Sequence, residues 1–309
     1  MNKSKTAMQQ QQLEQIILKS QDDLAYTDRK EFLFQHAVLC QVYLPYRDPG
    51  DNVTDWVRQQ GKAFFGIQCT KVINPETGQL DLTLGLPFGP KARLILTHIN
   101  TLALKQKTAL IEIPNTFSSF VTAMGLSRNG YQIDAIKNQM ARLAASMVTI
   151  AFTHSEPNSG TRAAQVDSKI INGFDLWFPK DQNQRVLWGS TIKLSDDYFN
   201  SLMEHAVPLD KEHLARLSNN SMALDIYSWL AQRLHRISKD RREFIHWQGL
   251  KEQFGESIVR LDHFKTHFRK NLKMVLDQYQ NARIEEDLNK GFYLYQSQPP
   301  VAPKLIATT

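Results

Sequence analysis

Arg260, His263, Thr266, His267, Arg269, Lys270 and Lys273 crowd into residues 260–273 of this chain. Guanidinium, ammonium, imidazole and hydroxyl groups donate hydrogen bonds to phosphate oxygens and to base edges, and a DNA major groove is wide enough to admit the helix that carries them. Leu261, Phe264, Phe268, Leu272 and Val275 stand among them at spacings of three and four, so a 3.6-residue period gathers these apolar groups into one stripe for burial. His263, Thr266, Lys270 and Lys273 then fall on the opposite face, with Arg260, His267 and Arg269 at its flanks. A solvated surface helix shows the same pattern, so the surrounding elements must decide.

A weaker constellation precedes it. Asn138 and Arg142 lie opposite the apolar stripe of another helix, where Ala135 and Ala141 would let DNA approach and the Asn and Arg side chains are able to make bidentate base contacts. Arg128, in the turn before that helix with Asn129, is placed to touch phosphate, although turn formation explains such residues as well. Arg233, Arg236, Lys239, Arg241 and Arg242 add positive charge near residues 260–273, with pairing to Asp240 or Glu243 as the competing use.

Bond-breaking chemistry finds no such support. At Gly61-Lys62 a phosphate-binding loop would need glycine where Trp56 stands and a hydroxyl where Ala63 stands, so ATP hydrolysis is not expected. His263 and His267 have the spacing of a zinc-binding helix, but Phe264 takes the place of the glutamate base and no third ligand is evident. No two histidines are separated by a single residue, as the metal cradle of a nicking enzyme requires, so Tyr279, Tyr293 and Tyr295 read as core or strand aromatics. Cys40 and Cys69 lack a paired spacing. The expectation is no catalytic residue, no metal and no cofactor.

The donors need a scaffold, and the 309-residue chain, 42% hydrophobic and 22% charged, is long enough for two domains and an extension. A net charge of +6 favours a polyanionic partner. No apolar run approaches the roughly 20 residues that span a bilayer, and the amino terminus lacks a secretory core, so a cytoplasmic protein without membrane contact is expected. After a polar start, apolar residues begin at Leu13, Ile16 and Ile17. Residues 31–85 read as an extension on the first domain, with a hairpin at 63–73 and 79–84 around Asn74-Pro75-Glu76-Thr77-Gly78.

From Gly89 the spacing turns helical, with Leu94, Ile95, Ile99, Leu102 and Ala103 on one face and Pro90 in the first turn. A short strand at 110–113, a helix through Phe117, Phe120, Val121 and Met124 to Gly125, and a helix with Ile133, Ile136, Met140 and Leu143 inward come next. Extended segments follow at 146–153, 169–178 and 185–194, with a polar connection between the first two. That is the order of a winged helix, whose third helix enters the major groove. A helix at 196–205 and the Val207-Pro208-Leu209 break mark a junction, and the order then returns. It comprises a long helix from Leu224 through Ile237, a strand at 243–247, a short helix at 250–254, the basic helix, and a hairpin at 282–286 and 291–295. The expected fold is α+β: an extension (1–30), a first winged-helix domain with an amino-terminal β-hairpin (31–206), a second (207–296) and a loose tail (297–309).

Leu86-Pro87-Phe88-Gly89-Pro90-Lys91-Ala92-Arg93-Leu94 resembles a hallmark of the plasmid-encoded RepA replication initiators. Leu44-Pro45-Tyr46-Arg47-Asp48-Pro49-Gly50, Asn138-Gln139-Met140-Ala141-Arg142-Leu143, Ser221-Met222-Ala223-Leu224-Asp225-Ile226-Tyr227-Ser228-Trp229-Leu230, Phe254-Gly255 and Phe268-Arg269 recur in the same order. Phe88 replaces a tyrosine expected in many relatives, a conservative change. The resemblance implies binding to repeated double-stranded sites at a plasmid origin, help in opening the duplex, and contacts with the host replicative helicase and host initiator. It also implies a homodimer that represses its own gene. A winged-helix repressor without initiator activity is the alternative, and a nicking enzyme is a third class.

Overall fold

The computed structural model describes residues 31–50, 52–72, 79–80, 82–113, 117–156, 160–175, 190–255, 258–287 and 290–301. The apolar start at Leu13, Ile16 and Ile17 lies outside them, as does the tail beyond residue 301.

Two units repeat one topology. The first runs α1 (Gly89–Gln106), β6 (Leu110–Ile113), α2 (Phe117–Ala123), α3 (Gly130–Ala144), then β9 (Ile171–Asp175) and β10 (Ser190–Leu194). The second runs α6 (Ser221–Arg233), β12 (Arg242–His246), α7 (Trp247–Phe254), α8 (Leu261–Leu276), β13 (Ile284–Asp287) and β14 (Gly291–Tyr295). In each, the first strand pairs antiparallel with the last and the last with the middle one, giving sheet orders β6-β10-β9 and β12-β14-β13. Alternation fixes which side faces inward: Phe292 and Leu294 are buried, while Tyr293 and Tyr295 between them are only half-buried.

Several expectations need correction. The described part of the polar connection after residue 153 is instead strand: β7 (Ser146–Glu156) pairs along its length with β8 (Gly160–Lys169), and both join β2 (Asp55–Gln60) and β3 (Ala63–Cys69) in a sheet of order β2-β3-β7-β8. An edge strand pairs on one side only, so β8 tolerates polar residues such as Gln165 and Asp167 that read as loop. The hairpin near residue 78 is the short pair β4 (Lys71–Val72) and β5 (Leu82–Thr83). The long helix ends at Arg233 in a 3-10 turn, Leu234–Arg236, and Trp247 begins α7 rather than ending a strand. Short helix α5 (Lys211–Leu217), capped by Asp210 side-chain bonds from the Glu212 and His213 amides, gave no clear spacing signal.

The junction is built differently from a break. After α4 (Asp196–His205), Val207-Pro208-Leu209 lies in β11 (Ala206–Asp210), which pairs with β1 (Phe32–His36). Proline is accommodated because this two-stranded sheet leaves one edge of β11 unpaired. The expected boundary at 206/207 therefore falls inside a strand. The upstream segment touches both units: Phe34 N donates to Thr101 Oγ1 of the first, and Gln253 Nε2 of the second donates to Gln41 O at 3.0 Å and to the Tyr43 hydroxyl at 3.2 Å.

α1 is buried on more than one face because β1, β6, α3, α4 and α6 all pack on it. Its buried polar groups find partners: Thr101 Oγ1 accepts from Phe34 N at 2.7 Å, and Asn100 receives the Tyr198 hydroxyl at 3.0 Å. Arg93 makes the strongest tie. Its Nε and Nη2 donate to Asp225 on α6 at 2.7 and 2.8 Å, and its remaining donors reach the carbonyls of Leu44, Pro45 and Gly89. Both charged side chains are buried, at 7% and 6% exposure. Three of the segments that carry the resemblance, 44–50, 86–94 and 221–230, thus converge on one buried ion pair between the units.

Candidate nucleic-acid interface

α8 forms because its apolar residues line one side of a continuous helix and find a partner there. Phe264, Phe268, Leu272 and Val275 are buried, each contributing roughly 1.5–3 kcal/mol on leaving water. Phe264 and Phe268 pack edge-on to Trp247, and Phe268 also meets Phe292 of β14 at 5.9 Å between centroids. Buried Asn271 fixes the helix against α6, accepting from Asn220 Nδ2 at 2.6 Å and donating to His267 O at 2.8 Å.

The opposite face stays open. His263, Thr266, His267, Lys270 and Lys273 are all exposed. Lys270 has no hydrogen bond or ion pair among the described residues. Thr266 Oγ1 returns to the Asp262 carbonyl at 3.1 Å, and Lys273 meets Asp277 one turn on at 3.1 Å. Arg260 pairs with Asp262, and the hydrogen bond from Arg260 holds that carboxyl at about 2. Partial loss of water, followed by the charges of Lys270 and Arg47, lowers the His267 pKa below its ordinary value. Arg269 is committed elsewhere: it grips Glu286 of β13 through Nε at 3.0 Å and Nη2 at 2.6 Å and lies over Trp247 at 4.9 Å.

α3 holds the same place in the first unit, entered through an Asn129 cap that accepts from Gln132 N at 2.8 Å. Its Arg142 is only 11% exposed in its side chain. Nε donates to Asn138 Oδ1 at 2.9 Å, Nη1 to the Leu86 carbonyl at 3.0 Å and Nη2 to Asp48 at 3.2 Å, while the guanidinium covers the Phe88 ring at 5.0 Å. Gly85, at φ +78, lets Arg142 approach, since a Cβ there would lie 2.8 Å from Nη1. Arg128 is exposed and donates to Thr122 at 2.7 Å.

Of the neighbouring cations, Arg233 pairs with Glu243 at 2.7 Å and Arg242 stacks on Tyr293 at 4.0 Å, whereas Arg236, Lys239 and Arg241 are exposed. Sequence spacing did not single out Arg47, Tyr131 or the Arg93–Asp225 pair. Tyr131, 77% exposed at the start of α3, sits 5.8 Å from the Lys91 ammonium. Among the described residues no three His, Cys, Asp or Glu groups are placed to hold a metal ion, and no helix is long and apolar enough to cross a membrane.

The fold is similar to a crystal structure of domains 2 and 3 of RctB, at a TM-score of 0.51 and 9% identity over 81% of this chain and 92% of that chain. A second crystal structure of RctB domains 2–3 gives a TM-score of 0.49 at 9% identity, covering 83% and 94%. No curated protein matches the sequence. Residues 86–248, more than half of the chain and the span that carries both Arg93 and Asp225, match the family described as plasmid-encoded RepA protein. The chain belongs to the plasmid-encoded RepA family.

Proposed function

We propose that this protein initiates plasmid replication by binding repeated double-stranded sites at the origin through two winged-helix modules, without breaking a covalent bond itself. The carrying observation is α8, whose apolar side is buried while His263, Thr266, His267, Lys270 and Lys273 share the exposed one. A helix third in its unit and followed by a three-stranded sheet has the order in which winged helices offer a recognition helix to the major groove. Lys270 suits a phosphate, and His263 and Thr266 suit base edges or phosphate.

The first module contributes less direct readout in this scheme, since the Arg142 donors are bonded within the protein. Asn138, Arg128 and exposed Tyr131 remain on its outer side, for a second duplex contact or for a homodimer. Opening of the duplex and contacts with the host helicase and host initiator belong to the same proposal, as does a cytoplasmic setting.

Footprinting the purified chain on the non-coding DNA beside its gene tests the reading. Periodic protection of a repeated sequence, without a protein-linked strand end, is the expected result. Absence of protection at modest ionic strength overturns it, and a covalent adduct replaces it with a nicking enzyme.

A further inference from the structure

Arg47 belongs to a segment pinned on both sides. Arg93 donates to the Leu44 carbonyl at 2.6 Å and to that of Pro45 at 3.1 Å, and Gly89 N donates to Pro45 O at 3.0 Å. The Tyr46 ring lies 5.2 Å from the Arg93 guanidinium. On the other side Asp48 receives Arg142 and closes a turn by accepting from Gly50 N at 3.1 Å. Arg47 itself is exposed, with no hydrogen bond or ion pair among the described residues.

The pinned arginine sits beside α8. With Asn219, Arg260, His263 and His267 it lines an open cleft of about 720 Å³. None of the described residues lining the cleft is acidic, and Asp262, which neutralises Arg260, is not among them. Arg47 and the two imidazoles, brought together where no described lining residue is acidic, gain from an anion placed between them. Because the backbone on either side of Arg47 is already held, only the side chain remains to be ordered by the contact.

We propose that this cleft seats one backbone phosphate of the bound duplex, gripped by Arg47 from the upstream segment and by His263 and His267 from α8. The proposal rests on the reading of α8 as a duplex contact and adds an element outside both repeated units. A guanidinium offers a phosphate two parallel hydrogen bonds, which a lysine at the same place lacks. The upstream segment then does more than fasten the modules together: it brings a cation from the Arg93 joint to the recognition helix of the second module.

The test measures binding of the full chain to a fluorescent duplex from the DNA flanking its gene, across a series of KCl concentrations. Wild type, Arg47→Ala, Arg47→Lys, Lys270→Ala and the Arg47→Ala/Lys270→Ala variant are compared, with thermal melting to verify folding. Arg47→Ala is expected to weaken binding several-fold and to reduce the slope of log affinity against log salt by about 0.9, with the double variant losing about twice that. Arg47→Lys should keep the slope and lose part of the affinity. If Lys270→Ala reduces the slope while Arg47→Ala changes neither slope nor affinity, the phosphate seat is wrong and the reading of α8 survives. If neither variant alters binding, both are wrong.

Discussion

α3 and α8 hold equivalent places in units of one topology, yet their polar faces have different fates. On α3 the strongest cation turns back into the protein, where Arg142 meets Asp48, the Leu86 carbonyl, Asn138 and the Phe88 ring. On α8, Lys270, His263 and His267 keep their donors directed at solvent. The difference arises outside both helices: the upstream segment brings Asp48 against α3, and Gly85 removes the side chain that would block Arg142. Helical spacing identifies which side chains leave the core, and neighbouring segments decide which remain available to a ligand.

Arg93 holds these two faces in one frame, so its removal breaks the comparison most severely. Arg93→Met leaves the Asp225 carboxylate buried without its counter-charge, which costs about 3–5 kcal/mol. Urea denaturation should register that loss, and Arg93→Met/Asp225→Leu should recover the part due to the unmatched charge, while the loss of the donor to the Leu44 carbonyl remains. A single variant as stable as wild type would mean that the ion pair does not secure the joint.

Acid offers a way to weaken the neighbourhood of the β1–β11 pairing without a substitution. His36, at the end of β1, is fully buried; its Nδ1 accepts from Val38 N at 3.2 Å, which sets Nε2 as the donor to Ser201 Oγ at 3.0 Å. Burial first, and then the charge of His205, depress its pKa from the usual 6.5 to about 3. Between those values the unfolded chain binds a proton that the folded chain refuses, so this contribution is complete above pH 6.5 and is lost as pH falls toward 3. The slope it adds is at most about 1.4 kcal/mol per pH unit. Melting curves from pH 7 downward should show the decline, and His36→Gln should flatten it.

Arg142→Ala probes the α3 side directly. Loss of charge-assisted hydrogen bonds to Asp48 and the Leu86 carbonyl should lower stability by about 1.5–3 kcal/mol in denaturant, with little change in the salt slope of duplex binding. A normal denaturation midpoint with a reduced salt slope would restore Arg142 to the DNA-facing set and erase the contrast with α8.

The amphipathic helices were the legible part of this fold. α8 and α4 follow the spacing of their apolar residues, and β6 its alternation, because each meets the core along one side. β8 and β11 were hidden for a different reason: an edge strand can be polar and a two-stranded sheet can hold proline, so neither carries a distinctive pattern. In the candidate site the exposed face of α8 was readable from local spacing. The commitment of Arg142 was not, since Asp48 lies 94 positions away, and neither was that of Arg93, whose partner is 132 positions away. Asp48, Arg93, Arg142 and Asp225 all stand in segments that resemble the family, but a resemblance along the chain does not state which residue meets which.

The narrowest contrast lies within α8, between adjacent positions. Arg269 is tied to Glu286 through two nitrogens and rests on Trp247, so it fastens the helix to the sheet behind it. Lys270, one position on, extends to solvent without such a tie. Arg269→Ala should lower stability by roughly 0.5–1 kcal/mol, the range of a partly exposed ion pair with a stacked ring, while leaving most of the salt slope intact. Lys270→Ala should leave the melting temperature unchanged and reduce the slope by about one. Both measurements on both variants form a crossed design, and the reverse pattern would turn the helix by one residue relative to its ligand. That outcome would reassign the contact from the face that includes His263, Thr266 and Lys273 to the side that now meets β13.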